Sequence, residues 1–247
     1  MMRYYNRRIC VAVVGSLALT ATLAAQGPGR SLPTDDPNGF VAIFDGKTLN
    51  NWDGDPVFWR VEDGVIVAES TPDKRVTVNT FLVWRGGTTR DFELKIDYRV
   101  TPNANSGVQY RSVELPNVGR WVMKGYQADL DGTNQYSGQI YEERGRGFLA
   151  MRGSFTRLGG AAGGGNKLIG SFGDDALLKA VLKPNEWNSL HIIARGNTIT
   201  QIVNGRVMSA VVDDDEPGRS FEGLLGLQLH TGPPMKIEFR NIWYKKL

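Results

Sequence analysis

Three short apolar-rich stretches, residues 189–195, 198–203 and 207–212, are joined by turns built on Gly196-Asn197 and Asn204-Gly205. Such pairs take the left-handed backbone angles that tight hairpins demand. This spacing leaves room for antiparallel strands and for little else. Residues 92–100 carry the same signal: Phe92, Leu94, Ile96 and Tyr98 alternate with Glu93, Lys95, Asp97 and Arg99. A period of two means a strand with one buried face. Residues 61–68 are split by another tight-turn pair, Asp63-Gly64, and residues 224–229 and 236–244 read as further strands. Helical spacing is confined to residues 174–182. The expected class is all-β, a two-sheet sandwich.

The N-terminus follows a separate logic. Arg3, Arg7 and Arg8 precede an almost wholly apolar run from Ile9 to Leu19, followed by Ala21, Ala24 and Ala25. This is the order of a secretory signal over residues 1–25, and it predicts export to the periplasm or the medium. The run is short for a membrane span, so no membrane partner is expected after cleavage. The only cysteine, Cys10, lies in that run, which leaves the mature chain without a disulfide or a thiol nucleophile. Residues 26–38 read as a linker rich in Pro, Gly and Asp, and residues 39–247 as one domain. The formal charge of +3 comes from 29 basic and 26 acidic side chains, and the leader holds three of the arginines. The remainder balances at 26 against 26, so no global attraction for nucleic acid is expected.

Strand alternation sorts the polar residues by face. Gln109 and Arg111 oppose Val108 and Tyr110. Gln127, Asp129 and Asp131 oppose Tyr126, Ala128 and Leu130. Gln139, Tyr141 and Glu143 oppose Ile140, Glu142 and Arg144. Gln228 and His230 oppose Leu227 and Leu229. Four strands thus each carry an apolar side and a side with amides and titratable groups. As neighbours they would form a polar hollow able to hydrogen-bond a sugar; apart, they would be solvated outer faces. Trp84, Trp121, Tyr136 and Tyr141 lie near these segments as stacking platforms. His191 sits in an apolar strand and reads as structural. The acidic run 213–216 reads as a solvated turn, and the glycine-rich residues 159–165 as a flexible loop. No HExxH, EF-hand, GxSxG or phosphate-loop pattern is present.

Taken in order, the motifs resemble one family. They are GFVAIFDGKTL from Gly39 to Leu49 with Trp52, NSGVQYR from Asn105 to Arg111, Glu186-Trp187-Asn188, Asn204-Gly205, GLQLH from Gly226 to His230, and FRNI from Phe239 to Ile242. The set resembles the 3-keto-disaccharide hydrolase domain family from about Gly39 to Leu247. Many members carry Gly-Tyr-Glu-x-Gln where this chain has Gly125-Tyr126-Gln127-Ala128-Asp129, so Asp129 would stand in for the Glu. The resemblance implies a concanavalin-like jelly roll, an exported protein and a carbohydrate substrate already oxidised at C3.

A ketone at C3 acidifies the C2 proton and makes the C1 oxygen a β leaving group. Such chemistry needs a base, a group for the enolate oxygen and a proton donor. Asp129 or Glu143 is the expected base, Arg111 the enolate stabiliser, and His230 the proton donor or a substrate ligand. Gln109, Gln127, Tyr141, Gln228 and Trp121 are the expected sugar contacts. A divalent ion held by Asp129, Glu143 and His230 is a variant. A non-catalytic carbohydrate-binding module, or a conventional glycosidase pairing Asp129 with Glu142 or Glu143, would use the same face.

Overall fold

The computed structural model describes residues 38–160 and 165–247. The leader over residues 1–25, nearly all of the linker and the middle of the glycine-rich loop lie outside the described residues.

The first strands are β1 (Val41–Ala42), β2 (Trp52–Asp53), β3 (Trp59–Glu62), β4 (Val65–Ser70), β5 (Thr80–Thr89) and β6 (Phe92–Val100). The middle of the chain gives β7 (Asn105–Glu114), β8 (Met123–Asp131), β9 (Ile140–Glu143), β10 (Gly147–Ala150), β11 (Ser154–Gly159) and β12 (Lys167–Ser171). A short helix, α1 (Asp175–Lys179), follows. The chain ends with β13 (Asn188–Arg195), β14 (Thr198–Val203), β15 (Arg206–Asp214), β16 (Gly223–Leu229) and β17 (Met235–Lys246). The helix is shorter than the spacing predicts. Asp174 caps its start by accepting from the amides of Ala176 and Leu177, and Pro184 stands soon after its end.

The strands form two sheets. One runs β12-β11-β15-β14-β13-β6-β17-β4-β3, with β1 added beside β17. The other runs β10-β9-β8-β7-β16-β5-β2. From β4 to β7 the chain passes between the sheets at every step, and the pairs β6–β17 and β7–β16 join residues far apart in sequence. This is a jelly-roll sandwich. The tight turns expected from sequence close β3–β4, β13–β14 and β14–β15. Phe92, Leu94, Ile96 and Tyr98 face the core, with Ile192 and Ile237 from their own sheet. Val108, Tyr110, Ala128, Ile140 and Leu227 meet them from the other sheet. The apolar half of each alternating strand is therefore buried between the layers, and the polar half is left outside.

One ionic cluster joins the sheets at the end of β15. Asp213 is 1% exposed, so the acidic run departs from the solvated turn expected for it. Tyr126 donates its phenol to Asp213 Oδ2 at 2.5 Å. Arg146 donates to both Asp213 oxygens at 3.0 and 2.7 Å and to Glu142 Oε2 at 2.5 Å. Asp215 adds a contact at 3.0 Å. A buried carboxylate needs such partners because desolvation otherwise outweighs its local attractions. Arg146→Met strands Asp213 without a cation. Denaturant unfolding should show a loss of about 3–5 kcal/mol, and an unchanged midpoint would contradict this role.

Candidate functional site

The four polar-faced strands are contiguous, in the order β9-β8-β7-β16. Their registers align Gln109 with Gln127, and Gln127 with Tyr141. Gly107 faces Asp129, and Gly226 faces Gln109. The sheet is strongly curled. Asn79, just before β5, donates to Glu143 Oε1 on β9 at 3.1 Å, although β8, β7 and β16 lie between these strands. A flat sheet would hold β9 and β5 about 19 Å apart. The polar face is therefore the inside of a trough.

A cavity of ≈ 190 Å³ opens in that trough, lined by Asn105, Gln127, Asp129, Tyr136, Tyr141, Glu143, Phe148 and His230. Five residues expected from sequence thus meet there: Gln127, Asp129, Tyr141, Glu143 and His230. Gln109 and Gln228 lie in the floor, fully buried. Gln109 donates to Gln127 Oε1 at 3.3 Å, and Gln127 donates to Asp129 Oδ1 at 2.6 Å. Gln228 approaches Glu143 Oε2 at 3.5 Å. Gly107 makes this floor feasible. A Cβ there would stand 2.4 Å from Gln127 Cδ, so only glycine lets Gln127 lie across β7. Glu142 points to the other face, where Arg146 holds it; of the adjacent glutamates, Glu143 alone reaches the cavity.

Two expected site residues are elsewhere. Arg111 does not continue the alternation of β7, because the β7–β8 register shifts after Tyr110 and Arg111 takes φ +49°. Its buried side chain donates to the carbonyls of Arg90 and Gly196, both at 2.7 Å, and to Asp91 at 3.1 Å. It ties the β5–β6 and β13–β14 turns together and does not line the cavity. Trp121 donates its indole N–H to Asp53 at 2.8 Å. It packs on a separate apolar cluster of Phe81, Val83 and Met123 and does not line the cavity. Trp84 is no stacking platform either: it belongs to the core, against Tyr244.

Asn105, Asn79 and Phe148 are not among the expected site residues. Asn105 is legible in principle, since it stands four residues before Gln109 on one strand. Tyr136 is legible only as a nearby aromatic. Asn79 and Phe148 carry no signal. Tyr136 stacks on Phe148 with centroids 5.8 Å apart, and Tyr141 meets Phe148 edge-on at 5.1 Å. The loop that presents Tyr136 is fixed by Asp131, which accepts from the amides of Gln135, Tyr136 and Ser137. Burial pushes the Asp131 carboxyl up, but the Thr133 hydroxyl and these amides hold it below the usual range. Asp131 is thus a structural carboxylate.

Asp129 is the opposite case. Burial drives its pKa from 3.8 up to about 7; the Gln127 bond opposes the rise, and the negative charges of Asp131 and Glu143 add to it. Burial, then the charges of Glu143 and Asp129, also raise the Tyr141 phenol. His230 places Nδ1 2.5 Å from the Thr231 carbonyl. A carbonyl only accepts, so Nδ1 carries a proton and Nε2 is the nitrogen left for a ligand. Among the described residues, no three His, Cys, Asp or Glu side chains stand close enough together to hold a metal ion. Asp129, Glu143 and His230 share the cavity without forming a ready ligand set.

The family model of the 3-keto-alpha-glucoside-1,2-lyase-like domain matches residues 39–245. The chain belongs to this family. A 3-keto-disaccharide hydrolase of Bacteroides thetaiotaomicron is 31% identical over 103 residues, 37% of this chain and 33% of the relative. The match thus spans a third of that protein's length. Among solved structures, a Parabacteroides distasonis protein assigned to the glycosyl hydrolases superposes with TM-score 0.58 at 23% identity, covering 85% of this chain and 94% of the other. The carbohydrate-binding module CBM66 of Bacillus subtilis gives 0.50 at 13% identity, covering 79% and 96%. At these identities the two structures establish the shared fold.

The raised Asp129 pKa has a stability consequence. Between pH 4 and 7 the folded state holds a proton that the unfolded state releases, so this site loses stability as pH rises. Asp129→Asn removes the titration. It should match wild type below pH 4 and exceed it increasingly towards pH 8. The ceiling is about 4 kcal/mol, at about 1.4 kcal/mol per pH unit. Denaturant unfolding at pH 4 and pH 8 reads the difference; a variant less stable than wild type at pH 8 would contradict it.

Proposed function

We propose that this domain cleaves glycosides already oxidised to a ketone at C3. The observation that carries the reading is Asp129: a buried carboxylate poised near neutral pH in a cavity sized for one sugar ring. At ≈ 190 Å³ the cavity is below the ~300 Å³ at which sites for drug-sized ligands begin. Asp129 takes the C2 proton through the oxygen not bonded to Gln127. The C–H electron pair becomes the C2–C3 double bond, and the carbonyl pair moves onto oxygen. Collapse restores the ketone, forms C1=C2 and expels the C1 oxygen, which leaves with the proton that Asp129 took, passed on through water. Water then adds oxygen to C1 and hydrogen to C2. Gln127 fixes the base, His230 Nε2 and Asn105 meet sugar hydroxyls, and the Tyr136–Phe148–Tyr141 wall offers a stacking surface for a sugar ring. The basic and apolar leader would deliver the domain outside the cytoplasm.

A carbohydrate-binding module without turnover would share the trough, as the similarity to CBM66 in fold allows. It would leave the elevated Asp129 pKa without a use. The test is incubation with a 3-keto-glucoside, with and without a chelator to register any dependence on a divalent ion. Release of 3-keto-glucose should rise with pH about a midpoint near 7, as Asp129 ionises. Asp129→Asn should lower turnover by about 10²–10⁴-fold. Glu143→Gln removes a like charge and should move the rising limb to lower pH. No turnover by wild type, with binding of unmodified glycans, would favour the module.

A further inference from the structure

The proposed reaction builds negative charge on the C3 oxygen, and Arg111, the cation expected for it, is tied up at the end of the sandwich. Three other arginines near these strands are also committed. Arg146 holds Asp213 and Glu142, Arg152 donates to the carbonyls of Asn134 and Ser137, and Arg85 is bound to Glu114 and Asp53. Arg144 differs. It directly follows Glu143 and stands in the turn leading to β10, so the chain on either side of it, at Glu143 and at Phe148, lines the cavity. Its Nε is 3.9 Å from Glu143 Oε1, within ion-pair range but too long for a hydrogen bond. Among the described residues, its guanidinium makes no hydrogen bond. The side chain is about a third exposed.

The backbone adds an independent observation. Arg144 has φ +55°, a conformation that disfavours every residue with a Cβ and that glycine adopts freely. We propose that Arg144 supplies the guanidinium that hydrogen-bonds the C3 oxygen as negative charge builds on it, an assignment that rests on the function proposed above. Arg144 neither gives nor takes a proton. It is drawn from its loose pairing with Glu143 to an oxyanion that the ground state lacks, so it acts on the transition state rather than on binding.

The test exploits the backbone. Arg144→Gly and Arg144→Asn both suit a left-handed position, and Arg144→Lys keeps the charge. Each is assayed on a 3-keto-glucoside beside wild type, with thermal unfolding in parallel. The Gly and Asn variants should melt at or above the wild-type temperature, lose about 10²–10³-fold in kcat and change little in KM. Lys should recover part of the loss. An Arg144→Gly variant within about 3-fold of wild-type kcat would overturn the assignment while leaving the proposed function standing. Loss of activity accompanied by lower melting temperatures in both Gly and Asn variants would also overturn it, as a structural role. A wild type inert on every 3-keto-glucoside would reject the function itself, and this role with it.

Discussion

The bond from Gln127 to Asp129 across the floor of the trough organises this molecule's chemistry. It can form because two side chains of one strand, separated by one residue, share a face, and because Gly107 on the neighbouring strand leaves them space. Gln109 orients the relay. Its amide donates to the Gln127 oxygen, which turns the Gln127 nitrogen towards the carboxylate. One Asp129 oxygen is thereby fixed, and the other is left for a ligand. Burial and two nearby acids keep this carboxyl easy to protonate, and the single amide bond is too little to reverse them.

The rest of the fold creates that environment. The core takes up the apolar half of every alternating strand, so the amides and acids of β7, β8, β9 and β16 have only the outer face available. Curling then converts a face into a container. Without it, Asn79 and Glu143 would stand far apart, and Asp129 would be a solvated surface carboxylate with an ordinary pKa. Asp131, two residues on, shows how local geometry decides such outcomes. It is also buried, but a loop wraps three amides around it, and its pKa moves the other way.

Much of this is legible in the sequence because alternation is local. The side of β8 that carries Gln127 and Asp129 follows from counting by twos, as do Tyr141 and Glu143 on β9. Arg111 breaks the count: a register shift after Tyr110 redirects it, and no neighbouring residue announces that shift. Strand order is not legible either. The pairing of β7 with β16 joins residues over a hundred positions apart, and only the packed sandwich determines it. The same distance hides the partner of Asp213, whose buried role depends on Arg146, 67 residues earlier. Phe148 carries no signal in the sequence; its position on the edge strand β10 makes it part of the cavity wall.

A trough that holds the Asp129 carboxyl near neutrality leaves a direct spectroscopic trace. Carbon-13 NMR of aspartate side-chain carboxyls, with Asp129 assigned by comparison with its Asn variant, reads it in the intact protein without any substrate. That one resonance should titrate with a midpoint near 7. A midpoint below about 5, in the ordinary range of a solvated aspartate, would contradict the environment described for it.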